Sequence, residues 1–86
     1  MKKIVEEVLD EGLEKLLGEL VTLFCAVYIY TGKLIGVNQD CVLLRNAAVV
    51  YETGPFTEEI WKDAQPLPHD WYVVRMMIES FGVLKK

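Results

Sequence analysis

The chain of 86 residues has little of what usually announces chemistry. It has 1 histidine and 2 cysteines, and the cysteines, Cys25 and Cys41, lie apart in apolar runs without the C-x-x-C spacing of a zinc or redox site. One pair in a short chain is not a disulfide framework, so both read as reduced thiols in a core, which suits a cytoplasmic setting. No Ser-His-Asp arrangement, Walker loop or G-x-G-x-x-G stands in the sequence. No basic excess exists: the formal net charge is −4. A free-standing duplex-DNA binder shows a basic surface, so nucleic-acid contact here needs a local patch. Nor is there a hydrophobic run of the about 20 residues that a membrane helix requires. The most apolar stretch, LVTLFCAVYIYT at 20–31, is bracketed by Glu19 and Lys33, and its β-branched and aromatic residues favour strand. Acids at 6, 7, 10 and 11 interrupt any signal-peptide core.

What is present is apolar residue. Hydrophobic residues make up 52% of the chain, above the about 45–50% of ordinary soluble domains. That content excludes intrinsic disorder and points to an efficient core or a buried subunit interface. The length fits one domain, residues 1–86.

Residues 2–19 are predicted as an α-helix. Ile4, Val5, Val8, Leu9, Leu13, Leu16, Leu17 and Leu20 recur on a 3.6-residue period, with Glu6, Glu7, Asp10, Glu11 and Glu14 off the stripe. The acidic face suits packing on a sheet or a neighbouring subunit better than lying on an anionic membrane. Residues 20–86 read as β. The 20–31 segment is one strand, or two with a bend near Cys25 and Ala26. Gly32 marks a bend or bulge, and the strand resumes over 33–37. Asn38-Gln39-Asp40 is a polar turn, and 41–52 is the next strand, broken by Thr53-Gly54-Pro55-Phe56. Thr57 is placed to cap a short helix over EEIWKDA, QPLPHD reads as extended loop, and WYVVRMMIES as one strand. With no second long helix to cover its other face, such a sheet is expected to curl into a small, strongly bent barrel with the N-terminal helix over one opening.

At GKLIGVNQDCVLLRNA, residues 32–47, the pattern resembles the first signature motif of the Sm-like family. Gly32 and Leu34 fit its opening strand, Gly36-Val37-Asn38 its turn with Asn in place of the usual Asp, and Leu44 and Ala47 its closing strand. The turn is one residue short, and the family's base-recognising Asn falls at Asp40 or Cys41. YVVRMMIES is similar to the second motif, with Arg75 at its Arg and Met76 at its Gly. Tyr30-Thr31-Gly32, Leu44-x-x-Ala47-Ala48 and Thr53-Gly54-Pro55-Phe56 also look like a bacterial and phage branch of that family, with Pro55 where an Arg is usual. The likeness spans residues 21–81.

The resemblance implies an N-terminal helix followed by a five-stranded, strongly bent SH3-type barrel. It implies a non-enzymatic subunit without cofactor or metal, assembled into a closed homo-oligomeric ring of about five to seven copies. In such rings strand four of one subunit pairs with strand five of the next, which places Tyr72, Val74, Met76, Ile78 and Val83 at the subunit interface. Single-stranded RNA lies at the pore, and the positions carried over are Asn38, Asp40 and Arg75. Asn38 can read a base edge, Arg75 can stack on a base or grip phosphate, and Asp40 opposes both. The plainer reading is an Asx-type turn at Asn38 and Asp40, with Arg75 paired to Glu79 or Asp70. On that reading the chain is a structural or assembly ring module of phage or mobile-element origin that binds no RNA.

Overall fold

The computed structural model describes residues 12–84 and 86. Those residues are mainly β, with six strands in one antiparallel sheet. β1 (Leu20–Cys25), β2 (Ile29–Val37) and β3 (Cys41–Glu52) form a meander. β4 (Asp63–Pro66) and β5 (Trp71–Val74) both pair with β3, and β6 (Ile78–Gly82) pairs with β1. The order β4-β3-β2-β1-β6 thus carries β5 as a branch at one end of β3. β5 and β6 follow each other through a 3₁₀ turn, Arg75–Met77, but no ladder joins them, so the sheet is not closed.

β3 pairs with β2 on one side and with both β4 and β5 on the other, and it bends between those two. Val42 and Leu44 point inward by strand alternation, and Ala47 and Val50 are the next buried residues. The phase shifts at Asn46, whose φ of 53° is the left-handed conformation that Asn tolerates better than most residues. The ladder slips at the same place, between Thr31 and Lys33. Gly32 faces this bulge at close range. A Cβ there would lie 3.1 Å from Ala47 Cα, from the Arg45 carbonyl oxygen and from Leu44 Cβ. Two of these three are main-chain atoms of a paired strand and cannot swing aside. Gly32→Val is therefore expected to cost at least about 2 kcal/mol, the scale of an overpacked core, while Gly36→Ala, with only Leu43 Cβ at 3.5 Å, is tolerated. Urea midpoints of the two variants check this.

The core is Leu13, Val21, Leu23, Leu34, Val42, Leu44, Ala47 and Val73, all at most 5% exposed. Cys25, Tyr30 and Ile78 pack around it. Thr31 is buried on β2, and its hydroxyl lies 3.0 Å from the Val21 carbonyl, so no buried polar side chain goes unsatisfied among the described residues.

Several expectations need correction. Of the helix over 2–19, residues 2–11 lie outside the described residues. The rest is not α-helical: Leu13–Leu16 make a single 3₁₀ turn between Gly12 at φ 82° and Gly18 at φ 88°. The turn still covers the sheet, because Leu13 enters the core and main-chain bonds Gly18 N to Leu34 O and Leu34 N to Glu19 O dock the segment on β2. Of the two readings left open for the 20–31 segment, the two-strand one holds, with the turn at Ala26–Tyr28. EEIWKDA forms no helix; its last two residues begin β4. QPLPHD is loop only from Leu67 on, since Gln65 and Pro66 belong to β4, where an edge position tolerates proline. WYVVRMMIES is two strands broken by the Arg75–Met77 turn.

Candidate functional site

The β2–β3 turn is built by Asn38. Its side-chain oxygen accepts hydrogen bonds from Asp40 N at 2.7 Å and Cys41 N at 2.8 Å, and its own N–H donates to Cys41 O at 3.0 Å. That is an Asx turn, which leaves the Asn38 side-chain NH₂ as its outward group. The 3₁₀ turn after β5 docks directly on it: Arg75 N donates to Asp40 O at 2.8 Å, and Arg75 Nη1 donates to Asn38 O at 2.9 Å. Arg75, remote in sequence from Asn38 and Asp40, is thus brought to them.

The same Arg75 Nη1 pairs with Glu14 Oε1 at 2.9 Å, not with Glu79 or Asp70. Asp70 instead takes Arg45, at 3.4 Å. A hydrogen bond from its own main-chain N–H, and then the Arg75 guanidinium, hold the Glu14 carboxyl below the ordinary glutamate range. A depressed carboxyl stabilises the fold above its unfolded value, and that contribution is lost as the pH falls through the lower folded value. Sequence reasoning missed Glu14 because pairing across so many residues leaves no periodic signal. With Glu14 and Asp40 beside one Arg, the cluster's named charges sum to −1. A phosphate at Arg75 therefore competes with Glu14 for the positive charge of the guanidinium.

The second feature is the pair of strand edges flanking this turn. β5 pairs only on its β3 side and β6 only on its β1 side among the described residues. The side chains there are apolar yet open: Tyr72, Val74, Met76 and Val83 are exposed, Met76 at 87%, and Ile78 is half-buried. A cleft of about 280 Å³ opens beside β5, walled by Val27, Tyr28, Tyr30, Tyr72, Val74 and Met77. Exposed apolar side chains thus run along strand edges that are unpaired among the described residues.

Cys25 lines one wall of the cleft. Burial, and then the Glu79 charge, push the Cys25 thiol up, so it stays protonated and a poor nucleophile at neutral pH. Burial likewise raises Tyr30. Among the described residues no three His, Cys, Asp or Glu side chains gather where they would hold a metal ion, and no helix is long and apolar enough to cross a membrane. No protein-family model, curated protein or solved structure matches this chain.

Proposed function

We propose that the chain is a non-enzymatic Sm-like subunit that closes with copies of itself into a ring and takes single-stranded RNA at the Asn38–Asp40–Arg75 cluster. The observation that carries the reading is the pair of unpaired apolar edges on consecutive strands. If the short β4 is set aside as an added edge segment, β5 and β6 are the fourth and fifth strands in chain order, the two that the family's rings join between subunits. They are covalently adjacent yet do not pair with each other. Each is then free to pair with the opposite edge of a neighbouring copy, a head-to-tail contact that closes on itself if the rotation allows. A ring repeats the cluster once per subunit, so weak single contacts add up along a strand of RNA.

Salt titration of RNA binding to the purified ring tests this. Arg75→Ala is expected to weaken binding of a fluorescent single-stranded RNA by about tenfold or more, the scale of one charge-assisted hydrogen bond of about 1.5 kcal/mol. The log–log salt slope should become shallower by about 0.7 for each phosphate that the variant no longer neutralises. Glu14→Gln frees the guanidinium and should strengthen binding. The Arg75–Glu14 pair also favours a second reading, a ring module for assembly alone, because the one cation of the cluster is already neutralised. On that reading neither variant changes RNA binding, and the wild-type ring shows none.

A further inference from the structure

The β3–β4 connection holds a second site, unrelated to the edges. The Lys86 side chain folds back onto it and is buried, at 9% exposure, yet no carboxylate pairs with it among the described residues. Its Nζ lies 4.2 Å from the centre of the Trp61 ring and 5.7 Å from that of Phe56. The same Nζ donates to the main-chain oxygens of Pro55 at 3.0 Å and Thr53 at 3.4 Å. Aromatic faces and converging carbonyls are what a buried ammonium needs when no counter-ion is present.

The cage is held from outside the ammonium as well. Trp61 Nε1 donates to the Lys86 main-chain oxygen at 2.9 Å, and Phe56 meets Phe24 of β1 edge to face at 6.1 Å. Gly54, at φ 64°, supplies the reversal between the two carbonyl-bearing residues, and Lys62 N ties the far end of the loop to Thr53 O. Beside Phe56 lies an open hollow lined by Glu58 and Glu59, which makes the approach acidic.

We propose that Phe56, Trp61 and the main-chain oxygens of Thr53 and Pro55 form a binding site for a primary alkylammonium group, and that Lys86 is its resident ligand. Occupancy in cis latches the 53–62 segment onto the sheet. Withdrawal of Lys86 exposes a pocket with the chemistry to take another lysine side chain or a free alkylamine.

The test uses a Trp71→Phe background, so that Trp61 is the sole indole of the 2 tryptophans in the chain. Lys86→Ala is expected to shift Trp61 emission to the red, and n-butylammonium chloride should reverse the shift saturably. Its apparent affinity should be about tenfold or more tighter than for the chain with Lys86, where the tethered side chain competes at high effective concentration. Neither n-butanol nor sodium chloride should reverse it. No shift on Lys86→Ala, equal reversal by n-butanol, or equal response with Lys86 in place would each overturn the proposal. If Lys86→Ala does not fold, Lys86→Arg and Lys86→Met decide the matter. Arginine should keep the Trp61 emission and methionine should not; equal emission in the two contradicts an ammonium site.

Discussion

Leu44→Ala is expected to lower the unfolding free energy by about 2–5 kcal/mol, out of the about 5–15 kcal/mol typical of native proteins. Leu44 has no exposed surface and sits where three strands meet, opposite Leu34 on β2 and Trp71 on β5. Truncating it leaves a void in the cluster that Leu44 shares with Leu23, Leu34 and Val73, and the bulge at Asn46 limits how far β3 can settle into it. Ile60→Ala is the control: Ile60 is 77% exposed and should change stability by no more than about 0.5 kcal/mol. Urea titrations at one fixed chain concentration measure both, since association couples to stability. Comparable destabilisation by the two substitutions would mean that the core is not where the sheet places it.

Val74→Lys should abolish assembly while leaving the subunit folded. Val74 is 53% exposed at the end of β5, so a lysine there can reach solvent in the single chain. In a ring the same side chain would bring a charge into a desolvated apolar contact in every interface, and lysine on an edge strand blocks edge-to-edge pairing. Phe81→Glu should do the same from the β6 side, where Phe81 is 42% exposed. A head-to-tail interface then makes a further demand. Each variant keeps one intact edge, β6 in the first and β5 in the second. Mixing the two single chains of 9.8 kDa should give a heterodimer of about twice that mass and nothing larger. Sedimentation of each variant and of the mixture reads this directly. An assembly unchanged by both substitutions would show that these edges do not meet.

The sequence was legible where local chemistry and tertiary packing agree. β3 begins at Cys41 because Asn38 builds an Asx turn before it, and it ends at Glu52 because Thr53-Gly54-Pro55 cannot continue a ladder. Gly32 marks a bulge because the opposing backbone leaves no room for a side chain. The helical stripe that ran on through Leu13, Leu16, Leu17 and Leu20 was misleading there: Gly12 and Gly18 take positive φ, only one 3₁₀ turn fits between them, and Leu20 opens β1. The short helix after Thr57 gave way to tertiary contacts, since Trp61 turns to Lys86 and Lys62 N bonds to Thr53 O. The break in WYVVRMMIES was present in the pattern. A continuous strand would put Val73 and Ile78 on opposite faces, whereas both pack against one core.

For the site, the residue types were legible and their partners were not. Asn38 and Asp40 declared a turn, and Tyr72, Val74 and Met76, expected at a subunit interface from the resemblance, are exposed in the single chain. Neither Glu14 on Arg75 nor Lys86 over Trp61 follows from spacing, because both pairings are made by the curl of the sheet.

The most direct test of the edge-to-edge assembly is the mass of the native particle, measured across a range of chain concentrations. A closed ring requires one discrete mass of about five to seven chains, unchanged on dilution until the ring falls apart. A stable 9.8 kDa species at every concentration would contradict it.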